Sequence, residues 1–128
     1  MPLFENQTAE FGIAETLTDA ITDEFVKDGS LKIADRSSAD VLIEGVITSV
    51  SDRPGAFSQD ETVQDINVYV SVSVKVTDQV NRTAMWNERI TQFGAYDPAA
   101  GPDGRRQAYE EAFEKISQEI LNKTVSNW

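Results

Sequence analysis

Any chemistry in this chain would have to rest on carboxylates, because its 128 residues contain no His and no Cys. That removes the usual general base near neutral pH, the thiolate nucleophile and the soft metal ligands together. It also removes disulfides and thiol redox chemistry, without fixing a compartment. A serine nucleophile would need another base, and no Gly-x-Ser-x-Gly elbow occurs. Neither a Gly-x-Gly-x-x-Gly turn nor a Walker phosphate loop is present. The clustered acids Glu110, Glu111, Glu114 and Glu119 fall on the polar side of a helical pattern, where acids are ordinarily solvated. Asp97 and Asp103 lack the spacing of a calcium hand. Paired carboxylates could in principle hydrolyse a glycoside, but the constellation from which a site is read is missing. The chain reads as non-catalytic, with no cofactor and no metal site.

Charge narrows the partners. Asp and Glu number 22 against 11 Lys and Arg, giving a net charge of −11 and a pI near 4.3. Such a surface repels nucleic-acid phosphates, and no basic run interrupts it. The length fits a single domain over 1–128, one that buries roughly two-thirds of its unfolded surface. No apolar run approaches the roughly 20 residues that span a bilayer, and no signal peptide is visible. Met1-Pro2-Leu3-Phe4 opens directly on apolar residues, as if inside a strand. A targeting signal is therefore expected upstream of Met1.

The element that must organise the rest is Ile66–Val76, where every even position is Ile or Val and every odd one is Asn, Tyr, Ser or Lys. Period-two alternation held that long predicts a strand with one buried face, and β-branched side chains suit it locally. Before it, Ile13, Leu17, Ile21 and Phe25 make one apolar stripe on a helix that should stop at Gly29. Pro2–Phe4 reads as the end of a first strand, and Ser30–Asp35 as a short one. Val41–Ser51 is the next strand, with Ile43, Gly45 and Ile47 on one side and Leu42, Val46 and Val50 on the other. Gly45 predicts either a close approach by a helix or a bulge, and Arg53-Pro54-Gly55 should end the strand. Ala84–Ala95 supplies the last strand, Asp97–Gly104 a loop, and Tyr109, Ala112, Phe113, Ile116 and Ile120 the stripe of a final helix capped by Asp103. The order strand, helix, four strands, helix predicts an α+β two-layer sandwich, with two helices on one face of a mixed, mainly antiparallel sheet of four to five strands.

If both helices cover the Val68–Val76 side, the reverse side presents Tyr69, Ser71, Ser73 and Lys75, with Leu42 and Val46 from the neighbouring strand. Few charges lie on those rows, in a chain otherwise dense with them. Interface cores are depleted of charge and enriched in Tyr, although open antiparallel faces also tolerate Ser and Thr. These six residues are the candidate partner-binding set.

Several stretches carry a family resemblance: Pro-Leu-Phe-Glu-Asn-Gln-Thr (2–8), Leu-Thr-Asp-Ala-Ile-Thr-Asp-Glu-Phe (17–25), Asp-Gly-Ser-Leu-Lys-Ile-Ala-Asp (28–35), Ala-Asp-Val-Leu-Ile-Glu-Gly-Val-Ile-Thr-Ser-Val (39–50), and Met-Trp-Asn-Glu-Arg (85–89). With the Val-rich strand and a last helix ending near Trp128, this series resembles the LptE family of outer-membrane lipoproteins, nearly end to end. The resemblance implies a lipid-anchored protein on the periplasmic face of the outer membrane, with its lipidated Cys upstream of Met1. It implies that the partner is the β-barrel LptD, which family members plug and help assemble, and that lipopolysaccharide is contacted during insertion. A net charge of −11 opposes contact with an anionic lipid except through local cations, and those available are Arg53, Lys75, Arg82 and Arg89. The opening and Ala-Asp-Val-Leu-Ile-Glu-Gly also resemble periplasmic domains of Tol-system and curli-export proteins, which would keep the compartment and change the partner. A lipid-binding module using the same face is the other alternative.

Overall fold

A computed structural model describes residues 4–10, 12–28, 41–57, 63–78 and 81–126. Its elements are β1 (Glu5–Asn6), α1 (Ile13–Asp28), β2 (Val41–Phe57), β3 (Val63–Asp78), β4 (Thr83–Tyr96), a 3-10 turn (Pro98–Ala100) and α2 (Gly101–Ser126). The sheet order is β1-β2-β3-β4. β1 runs parallel to β2, and the other neighbours are antiparallel. The fold is thus the expected α+β class, with two helices and a four-stranded mixed sheet. The strand expected at Ser30–Asp35 lies outside the described residues; among those described, α1 stands in the chain between the parallel neighbours β1 and β2.

The alternation in β3 does what its period requires. Val68, Val70, Val72, Val74 and Val76 are fully buried. All but Val68 join one cluster with Ile43, Ile47 and Ile90 from the sheet, Leu17, Ile21 and Phe25 from α1, and Phe113, Ile116 and Ile120 from α2. Both helices therefore close the same side of the sheet, packing against each other, with α2 lying over β3 and β4. Burying each such side chain contributes about 1.5–3 kcal/mol relative to leaving it in water.

Two glycines set how close the parts come. A Cβ on Gly94 would overlap the backbone carbonyl of Ala108, so only hydrogen there lets α2 approach β4 this closely. A Cβ on Gly45 would run into the Phe4 ring. The close approach expected at Gly45 is real, but its occupant is that ring rather than a helix.

The bulge falls elsewhere, at the register shift between Ile47 and Ser49. It reverses parity, so Val50 pairs with Val70 and packs against the core instead of sharing the outer side with Leu42 and Val46. β2 also continues through Arg53-Pro54-Gly55 to Phe57, with further irregularities after Pro54. The β1 strand sits at Glu5–Asn6, just beyond the Pro2–Phe4 stretch read as the end of the first strand. Within Asp97–Gly104 the loop is short. Asp97 caps the 3-10 turn by accepting from the Ala99 N–H at 2.9 Å. α2 then starts at Gly101, so Asp103 lies inside the first turn rather than before it.

Candidate functional site

The side of the sheet away from the helices is built by register. Across β2, β3 and β4 the rows read Glu44–Lys75–Asn87, Val46–Ser73–Arg89, Ser49–Ser71–Thr91 and Ser51–Tyr69–Phe93. Each row is one residue from each strand at the same height, with neighbours about 5 Å apart.

The six candidate residues do share this side, but they are not equally open. Leu42 and Ser71 are each only 6% exposed, so neither is available to a partner as the chain stands. Ser71 shares a 2.9 Å hydroxyl–hydroxyl hydrogen bond with Thr91, which holds β3 to β4. Val46, Tyr69 and Ser73 are half-buried and Lys75 is exposed. Val46, Ser73 and Lys75, with Glu44 and Asn87, line a shallow groove of about 330 Å³. Polar and apolar walls are mixed there, and the groove is open along the sheet.

At the other end of the face the Tyr69 ring lies 5.1 Å from that of Phe93, centroid to centroid. The Arg53 guanidinium sits over Tyr69 at 4.6 Å. On the far side Lys115 reaches round from α2 to lie 4.8 Å from the Phe93 ring centre, while donating to the Phe93 carbonyl at 2.8 Å. The result is an aromatic strip with a cation at each end. Such contacts stabilise by about 0.5–1 kcal/mol when exposed. They also fix long side chains that would otherwise sweep solvent.

Of the four cations proposed for lipid contact, Lys75 and Arg89 stand in adjoining rows of β3 and β4. Arg53 belongs to the aromatic end. Arg82 sits apart, in the β3–β4 turn at φ 56°. The structure does not gather the four into one anion site.

Phe93, 38% exposed, belongs with Tyr69, although it was not among the six candidate residues. Parity was the available signal. Ile90 faces the helices, and Phe93 is three positions on, hence on the opposite side.

A second polar cluster lies at the edge of the helix layer. Arg105 of α2 donates from Nε and Nη2 to both oxygens of Asp52 on β2, each at 3.0 Å, and from Nη2 to Glu10 Oε1 at 2.6 Å. These bonds, to Asp52 first and Glu10 second, hold the guanidinium pKa above its ordinary value. Lys123 is likewise raised, chiefly by its 2.7 Å hydrogen bond to Glu88. Both clusters join elements of the fold, and Glu10 of the first also lines a shallow hollow of about 360 Å³ with Asn6, Thr8 and Gly12. Among the described residues no three acidic side chains converge as a metal site would require. No described helix is long and apolar enough to cross a membrane.

A model of the family described as "LptE: Lipopolysaccharide-assembly" matches residues 1–124. The chain belongs to the LptE family. That is a family of non-catalytic lipoproteins of lipopolysaccharide assembly, and its members work with LptD. Comparison with curated proteins gives no significant match. Among solved structures, rare lipoprotein B from Shewanella oneidensis is similar over 97% of this chain and 92% of its own, at 15% identity and a TM-score of 0.57. A minor lipoprotein from Acinetobacter baumannii is similar over 97% and 91%, at 10% identity and a TM-score of 0.60. A Xanthomonas campestris protein reaches a TM-score of 0.66 at 12% identity, over 98% of this chain and 76% of that one. At these identities the likeness shows a shared LptE-like fold.

Proposed function

We propose that this LptE-family chain is a non-catalytic assembly factor that plugs an LptD-type β-barrel and helps it assemble for lipopolysaccharide insertion. Its place is the periplasmic face of the outer membrane, held there by a lipid on a Cys upstream of Met1. The observation that carries the reading is the open side of the sheet. Three long strands are sealed by helices on one side and present half-buried Val46, Tyr69 and Ser73 on the other, together with exposed Phe93. Hydroxyl, aromatic and small apolar groups on a rigid platform suit a protein interface with satisfied hydrogen bonds.

The test is co-expression of the full-length lipidated protein with the LptD-type barrel of the same organism, followed by purification on a tag carried by the barrel. A stoichiometric complex that survives washing is the expected result. No complex, with both proteins folded in the membrane fraction, overturns the reading.

A further inference from the structure

We propose that the open sheet face is the cation-bearing side of an electrically polarised domain and that it docks an acidic protein surface. The inference rests on the docking reading above and specifies the chemistry of the surface that the partner presents.

The polarity comes from where the two signs fall. On the described rows of that face the charged residues are Arg53, Lys75 and Arg89 against Glu44 and Asp65. Lys115 adds a further cation at the β4 margin, over Phe93. The chain as a whole carries −11. The excess of acid therefore lies elsewhere, and much of it is on the helices. Glu15, Asp19 and Asp23 of α1 and Glu110, Glu111 and Glu114 of α2 are all exposed. A partner approaching the helices meets a carboxylate field, whereas one approaching the sheet meets a face on which cations outnumber acids by one. Complementary fields orient an encounter and suppress wrong poses more than they add affinity.

The spacing selects the class of occupant. Lys75 and Arg89 are diagonal neighbours, within about 8 Å at Cα. Arg53 lies three side-chain rows beyond Arg89, on the order of 20 Å along the strands, with Tyr69 and Phe93 between. No small anion spans that distance, whereas a protein surface does. An anionic membrane fits poorly. Surface attraction of that kind uses clusters of roughly 4–8 basic residues, and here three are offset by Glu44 and Asp65 within a strongly acidic chain. A protein patch needs only local acidity, because salt confines each field to about 8 Å.

The experiment uses the full-length lipidated protein co-expressed with its LptD-type barrel, and reads the amount of complex against salt in three variants. Lys75→Glu combined with Arg89→Glu should weaken the complex about tenfold or more, with Lys75→Gln/Arg89→Gln intermediate. Glu110→Lys combined with Glu114→Lys, on the helix side, should change it less than about twofold. Raising salt should weaken the wild-type complex more than the doubly reversed one. Circular dichroism of each variant confirms the fold, since all four positions are exposed. A complex that forms but ignores both reversals and salt overturns this inference and leaves the docking reading standing. Absence of any wild-type complex removes the docking reading, and this inference with it. If the reversals instead abolish binding to lipopolysaccharide aggregates while the barrel complex is unchanged, the occupant is a lipid headgroup, and the protein assignment is wrong.

Discussion

Val72 and Ser73 are consecutive on β3, yet they belong to two different regions of the molecule. Val72 is fully buried beneath the helices, whereas Ser73 lines an open groove beside Lys75 and Val46. The helix side is held by interlocked aliphatic and aromatic groups, and its polar bridges tie helix to strand, as where Trp86 Nε1 donates to Thr124 Oγ1 at 3.3 Å. The open side is held by backbone ladders and hydroxyl bonds such as Ser71 to Thr91, with Arg53 laid over the Tyr69 ring. Burial and exposure thus fall to alternate residues of the same strand. Either can change without disturbing the other, because the pleat separates them.

That separation can be broken most severely from the helix side. Phe113→Ala empties a fully buried position and should cost about 3–5 kcal/mol in urea unfolding. A loss below about 1 kcal/mol would mean that the core repacks freely. Gly94→Ala should cost about 1–3 kcal/mol by forcing α2 off β4. Its signature is a change in Trp86 fluorescence as the Thr124 contact shifts, and an unchanged spectrum would show that the close approach is not required. Arg105→Ala should cost roughly 1 kcal/mol, because its partners are partly solvated and surface ion pairs are weak. The raised arginine pKa means that this contribution is present at neutral and mildly alkaline pH, where the carboxylate partners are ionised, and on the alkaline side fades only in strong alkali. The Arg105 wild-type and Ala variants should accordingly differ by the same amount at pH 7 and pH 9. On the open side, Ser73→Ala or Lys75→Gln should alter stability by less than about 0.5 kcal/mol. A larger loss at either position would show that the two regions are coupled after all.

Legibility in the sequence followed the same division. The eleven-residue alternation of Ile66–Val76 identified the central strand and its buried side, and the four-residue spacing of Ile13–Phe25 identified the first helix. Both are local periodicities imposed by burial. The bulge after Ile47 left no such trace, since Thr48 and Ser49 are small, polar and tolerable on either side of a sheet. Val50 was therefore placed on the wrong side. The burial of Leu42 and the pairing of Tyr69 with Phe93 depend on register between strands, which periodicity within one strand does not specify. The Arg105 cluster was invisible for the plainest reason. Its partners lie 53 and 95 positions away, and nothing about an Arg, an Asp and a Glu at those distances marks them as neighbours.

The same separations carry a consequence for how the chain assembles. β2, β3 and β4 follow one another in sequence and zip by short-range turns, so their meander can close early. The opening segment enters differently, with its Phe4 ring over the Gly45 notch and Glu10 under the Arg105 fork. The Glu10 bond can form only once α2 is in place, which makes that end of the segment a strap fastened late in folding. Weakening that strap should chiefly hasten its release and leave the earlier zippering almost untouched.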